Sequence, residues 1–189
     1  MGVPLLPCQI AMELQTPQLI LRRFTLDDAE AFLPLVSLPE VIRYTGDSPR
    51  STVEEVRELL AERQLRDYAV HGFGRLACIE RATGRLVGFS GLKYLEDMNE
   101  IDVGYRFLPD CWGKGYATES ARATMQYEVA QHGIRRVIGL VEPANGGSVH
   151  VLSKLGLTFE KRLRLPDYPE DIDLYAAAMP VAAARSMNT

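Results

Sequence analysis

The sequence predicts a mixed α/β (α+β) fold, a mostly antiparallel sheet flanked by helices. Three observations carry this. Strand-like runs in the first half follow one another through short turn signals, the mark of an antiparallel meander. Runs in the second half alternate with helical periodicity, so a doubly wound parallel sheet does not fit the whole chain. The 189 residues, 47% hydrophobic and 24% charged, match one globular domain.

We read residues 1–189 as a single domain with its core at about 14–178 and tails at 1–13 and 180–189. The core opens with a β-type run, Leu19 to Phe24. Thr25 and Asp28 then suit a helix N-terminus, and a helix runs to about Ser37. Ser51 and Glu54 have capping-box spacing, and Val53, Val56 and Leu60 recur at helical intervals, predicting a second helix to about Ala69, ended by Gly72 and Gly74. Three strands follow, Arg75 to Glu80, Leu86 to Tyr94 and Glu100 to Leu108. In the third, Ile101, Val103, Tyr105 and Phe107 share one face and Glu100, Asp102 and Arg106 the other, the pattern of a half-buried strand. Ala117, Ala121, Met125 and Val129 make the stripe of a long helix stopped by Gly133. Val137 to Val141 reads as a strand, Ser148 to Leu155 as a short helix, and Leu157 to Leu163 and Asp173 to Ala178 as the last two strands.

Composition excludes several functions. With 21 Lys+Arg against 25 Asp+Glu, a formal charge of −4, the chain lacks the basic stripe of a duplex-DNA binder, and no direct nucleic-acid binding is expected. Met1 to Met12 has no basic n-region and is too short and proline-interrupted to span a membrane, so a cytoplasmic protein is expected. Cys8, Cys78 and Cys111 are odd in number without a C-x-x-C pair and read as reduced thiols. His71, His132 and His150 are too scattered for a metal set, and no metal is expected.

The chemistry concentrates at Phe107 to Glu119. A strand ends at Pro109, Gly113 and Gly115 form a tight loop, and a long helix starts from it. That arrangement aims free N–H groups and the positive end of a helix dipole at one point, a site for phosphate. The Walker pattern fails, because Lys114 is followed by Gly115 and no glycine stands five residues before Gly113; the dinucleotide fingerprint fails at Thr118. A helix merely entered through a tight turn has the same local pattern.

Asp110-x-x-Gly113-x-Gly115-x-Ala117 resembles the coenzyme A loop of the GNAT superfamily of N-acetyltransferases, with Asp110 departing from the usual Gln or Arg. The string Pro109 to Glu119 is similar to the RimJ/RimL-like branch, as are Thr16 to Phe24 and the stretch from Asn145 and Ser148 to Leu152 and Leu157. The resemblance covers about residues 14 to 178. It implies a central sheet of about seven strands flanked by about four helices, with a V-shaped split between strands 4 and 5. Strand 4 is Glu100 to Leu108. It also implies acetyl-CoA as co-substrate, with Phe107 and Leu108 beside the pantetheine arm. Trp112, Gly113, Lys114, Gly115, Tyr116, Ala117 and Thr118 would hold the pyrophosphate, and Asn145 and Ser148 would approach the arm and thioester. Lys154 is a further coenzyme contact or an exposed helical lysine, and Trp112 packs at the loop or forms a platform.

The implied reaction is direct attack of an uncharged amine on the thioester in a ternary complex. It needs a base for the amine proton, a donor for the departing thiolate and an N–H for the oxyanion. Asp102 is the first candidate base and Glu100 the second; each reads equally as a solvated strand carboxylate. Many relatives carry a tyrosine where this chain has Leu152, so Ser148 or a water becomes the acid, although a serine there is also an ordinary helix cap. Tyr105, Tyr116 and Tyr168 are spare hydroxyls. Two acidic clusters, Glu96, Asp97, Glu100 and Asp102, then Asp167, Glu170, Asp171 and Asp173, could steer a cationic acceptor. The partner is therefore an amine-bearing acceptor, a protein N-terminus or a small-molecule amine; both a monomer and a homodimer stay open. The alternative function is a catalytically silent acyl-CoA-binding sensor or scaffold.

Overall fold

The computed structural model describes residues 13–166, 168 and 170–180; Cys8, Asp167 and, apart from Glu13 and Pro180, the expected tails lie outside the described residues. Eight strands form one sheet: β1 (Glu13–Gln15), β2 (Leu19–Arg22), β3 (Arg75–Glu80), β4 (Leu86–Leu95), β5 (Glu100–Phe107), β6 (Arg136–Val141), β7 (Thr158–Leu163) and β8 (Ile172–Ala178). Their order is β1-β2-β3-β4-β5-β6-β8-β7, and every neighbouring pair is antiparallel except β5 and β6. Six α-helical segments accompany them: α1 (Ala29–Ser37), α2 (Pro39–Ile42), α3 (Val53–Leu60), α4 (Arg66–His71), α5 (Tyr116–His132) and α6 (Gly146–Lys154).

The sheet has one strand more than expected. Glu13–Gln15 pairs antiparallel with β2, Glu13 opposite Arg22, across a turn held by Thr16 and Leu19. Three residues are too few to display a period of two, so this edge strand is invisible to pattern reading. The extra strand moves the expected parting from strands 4 and 5 to β5 and β6, the same two segments. The second predicted helix is α3 and α4 joined by a π-helical turn, Ala61–Leu65. It starts at a capping box between Thr52 and Glu55, one residue later than the spacing read from Ser51, and ends at Gly72 with φ 80°.

α1 and α3 cover one face of the sheet with Phe32, Leu35 and Leu60 against Phe89 and Ala77. α5 and α6 cover the other with Ala121, Met125 and Leu152 against Leu92, Val103 and Val137. Burying each such large side chain contributes about 1.5–3 kcal/mol. β5 thus lies between two helical layers, which corrects the half-buried reading: Asp102 is only 6% exposed, and the Arg106 side chain 10%. α5 is also covered on more than its apolar stripe. Ser120 and Thr124 are buried too, each hydroxyl donating to a carbonyl one turn back, Tyr116 O at 2.7 Å and Ser120 O at 3.0 Å.

β5 and β6 share a single register pair, Asp102 opposite Ile138. Beyond it, Val103 to Phe107 continue along β4 while β6 turns away with β8. The sheet therefore opens into a V that points toward the start of α5. No helix among the described residues is long and apolar enough to cross a membrane.

Candidate active site

The loop after β5 is one turn of 3-10 helix, Pro109–Cys111, followed by Gly113 with φ 77° and Gly115 with φ 84°. Both glycines are left-handed, and a Cβ on either would meet nothing within 4 Å, so backbone conformation rather than crowding calls for glycine. Gly115 is the N-cap of α5 and has no side chain with which to cap it. The first N–H groups of a 17-residue helix are thereby left open to a ligand. Ion pairs and hydrogen bonds pin the loop from outside: Arg85 holds Asp110, Lys114 Nζ lies 3.6 Å from Glu80, and Gln18 donates to Glu119 from its backbone N–H at 2.8 Å and its side-chain amide at 2.7 Å. Tyr116 donates its hydroxyl to Glu80 at 2.7 Å, and that bond pushes the phenol pKa up to about 12.

At the strand end, the Phe107 carbonyl accepts from the indole of exposed Trp112 at 2.8 Å, and the Leu108 N–H donates to Val87 O at 3.0 Å. Ala117 and Thr118 lie in the first turn of α5. Lys154 ends α6 on the surface, where its carbonyl accepts from Arg122 at 2.9 Å.

A cavity of about 1100 Å³ occupies the parting, the upper end of the size of ligand sites. Its lining includes Asp102 and Arg106 from one face of β5, Tyr105 from the other, Asn145 at the N-cap of α6 and Ser148 within it. The lining thus takes side chains from both faces of β5 and none from Phe107 to Thr118. Asn145 caps α6 by accepting from the Ser148 N–H at 3.1 Å. The Tyr105 hydroxyl reaches both the Ser148 carbonyl and its Oγ at 3.0 Å, and burial raises the Tyr105 pKa. One of the spare hydroxyls is thus joined to Ser148. Leu152, which stands where the resemblance leads one to expect a tyrosine, is buried in the core.

The two carboxylates expected as bases differ in what they touch. Asp102 accepts from Arg75 Nη2 at 2.6 Å and from the Leu140 N–H of β6 at 3.2 Å, bridging the V at its vertex. Burial pushes its pKa up and the Arg75 charge opposes this. Arg75 reaches it from β3 by lying over Gly104, where a Cβ would collide with the guanidinium. Glu100 instead accepts from Arg136 at 3.0 and 3.2 Å, and Arg136 also holds Glu160. That makes an ion-pair cross-link between strands away from the cavity. Glu142, not singled out in the sequence, follows β6, is 8% exposed and lines the cavity, with no ion-pair partner among the described residues. Its one sequence signal is its position three residues before Asn145.

The two acidic clusters are largely neutralised. Glu96 pairs with Arg66, Asp171 with Arg164 and Asp173 with Arg162, besides the pairs of Asp102 and Glu100 just described.

Comparison with known proteins bears on this geometry. Residues 18–158 match the family model of the acetyltransferase (GNAT) domain. The chain is 29% identical to the uncharacterized N-acetyltransferase p20 of Bacillus licheniformis over 168 residues, 86% of this chain and 92% of that one. It superposes on an acetyltransferase (GNAT family) from Bacillus anthracis with a TM-score of 0.75 and 25% identity, covering 88% of this chain and 98% of the other. The ribosomal-protein-S5-alanine acetyltransferase of Vibrio fischeri shares the fold, with a TM-score of 0.72 at 18% identity over 88% of this chain and 96% of that one.

Proposed function

The chain belongs to the acetyltransferase (GNAT) family, and from that premise we propose that it moves the acetyl group of acetyl-CoA to a primary amine, of a protein N-terminus or a small molecule, by direct attack in a ternary complex. It is an acyltransferase, and acetyl-CoA-dependent N-acetylation is the activity of its family. The observation that carries the finer reading is the single register pair between β5 and β6, which opens the V beside the uncapped start of α5. We assign the chain to the RimJ/RimL-like branch on the strength of Pro109 to Glu119.

In this reading the open N–H groups from Gly113 to Thr118 hold the pyrophosphate, and Lys114 adds charge at the loop. The pantetheine arm runs along Phe107 and Leu108, with Trp112 turned aside from the Phe107 carbonyl. A backbone N–H of β5 receives the oxyanion. The acceptor nitrogen must be neutral to attack, so its proton leaves to a carboxylate through water. Glu142 suits that role better than Asp102, whose oxygens are already engaged by Arg75 and Leu140, and better than Glu100, which faces Arg136. The thiolate takes its proton from Ser148, backed by Tyr105 at 3.0 Å.

The test is thermal shift of the purified protein with acetyl-CoA, CoA and ATP, alongside Gly115→Glu. Stabilisation of the wild type by both coenzymes and not of the variant is expected, since a ligand that binds the native state raises Tm. Stabilisation by ATP alone, or by none, overturns the assignment of the loop. Release of free thiol with an amine library then separates transfer from silent binding.

A further inference from the structure

Off the main cavity, on the α1 and α3 side of β5, opens a pocket of about 40 Å³. A single water needs roughly 10–15 Å³ of such space, so the pocket suits a group of carboxylate size and not a ring. Phe32, Val36, Leu59 and Phe89 supply apolar walls. Four cationic side chains, Arg63, Arg75, Lys93 and Arg106, also line it, against two acids, Asp47 and Asp67.

We infer that the acceptor amine carries a carboxylate, which seats in this pocket against Lys93 and Arg75 while the amine lies in the parting of the sheet. The inference rests on the acetyl-transfer reading above and names the substrate class of that site.

The ion pairing inside the pocket is incomplete in one direction. Asp47 serves two guanidiniums at once, Arg63 at 3.0 Å and Arg106 at 2.6 Å. Arg75 gives one nitrogen to Asp102, but its buried Nε has no acceptor. Lys93 stands directly across from Asp102 in the β4–β5 register and has no ion-pair partner among the described residues. Burial, then the nearby Arg75, pushes the Lys93 pKa down, a strain that an anion would relieve. The remaining acid, Asp67, is 7% exposed and makes no ion pair among the described residues; burial pushes its pKa up and the Lys93 charge opposes this. Gln64, also 7% exposed, has an unpartnered Oε1 at the pocket; a flip of its amide would present the NH2 to an anion. Burial strengthens each of these contacts. The pocket and the main cavity share Asp67, Arg75, Lys93 and Arg106, so one ligand can reach both.

The experiment is titration calorimetry on the CoA-saturated protein with 4-aminobutanoate, 6-aminohexanoate and 8-aminooctanoate, each beside the alkylamine and the diamine of matching length. At least one amino acid should bind 10-fold or more tightly than both of its partners. Lys93→Gln and Lys93→Met should remove that preference while CoA still binds. If every amino acid binds no more tightly than its alkylamine, or is not bound at all, or if a diamine binds best, the inference is wrong. Survival of the preference in both variants also overturns it. Failure of the wild type to bind CoA would sink the acetyl-transfer reading and this inference together; CoA binding without carboxylate preference sinks the inference alone.

Discussion

The helices α5 and α6 both start beside the parting of the sheet, and they start in opposite ways. α6 is closed by its own chain: Asn145 accepts from the Ser148 N–H, as Thr52 does for Glu55 at the start of α3. α5 begins at a left-handed glycine that can cap nothing, and its loop is fastened at the flanks through Asp110, Lys114 and Glu119 instead. A capped terminus contributes to stability. An uncapped one forgoes about 1 kcal/mol of that and leaves several N–H groups for a ligand. The contrast explains how one short stretch of chain can hold a pinned loop and unclaimed helix N–H groups together.

The largest effect should come from closing α5. In Gly115→Glu a carboxylate sits where phosphate would bind, and acetyl-CoA affinity should fall roughly 10³-fold, while the left-handed φ costs the fold only about 1–2 kcal/mol. Wild-type affinity in that variant, read by calorimetry, would place the coenzyme elsewhere. Next, Glu142→Gln should lower kcat roughly 10²-fold with Tm unchanged; an unaltered kcat returns the base to Asp102. Asp102→Asn strands Arg75 and should cost about 2 kcal/mol in urea unfolding, less than a fully buried pair because the Arg75 side chain is 24% exposed.

The far end of α5 supplies a pH-dependent contrast. Glu128 is 1% exposed with His132 Nε2 at 3.0 Å, and burial pushes its pKa up to about 7. An acid whose pKa is raised on folding destabilises the native state increasingly as pH climbs from the ordinary carboxylate range toward 7, and fully above it. Glu128→Gln should therefore gain about 2 kcal/mol at pH 8 and almost nothing at pH 4, followed by thermal melts at both. Smallest is the loss of a cap: Thr52→Ala and Asn145→Ala should each cost about 1 kcal/mol. If Asn145 also touches the coenzyme, only its variant will weaken acetyl-CoA binding as well, and equal binding in the two leaves Asn145 as a cap.

Much of this was legible because local patterns dominate it. The meander, the glycine stop of α5 and the Gly113–Gly115 loop are written in residue spacing. β1 was not, being three residues long at an edge. Nor was the burial of Asp102 and Arg106: alternation marks which residues share a face, but whether that face meets water depends on α1 and α3 folding back over it. The same limit hid Glu142 and Lys93, ordinary charged residues in isolation, whose surroundings come from four or more distant segments. Conversely, Glu100 and the acidic clusters looked available because their arginine partners lie 7 to 36 positions away in the chain.

The parting between β5 and β6 also divides the molecule as a material. One register pair, the Asp102 bond to the Leu140 amide and the Arg136 bridge join β1–β5 to β6–β8 across the sheet. Such a seam is where cooperative opening begins, and the two halves should behave as separate units in native-state hydrogen exchange. Amides of β6 nearest the seam would then exchange sooner than those of β4, and a ligand wedged into the V would slow both sets together, acting as mortar between blocks that the backbone itself leaves loosely joined.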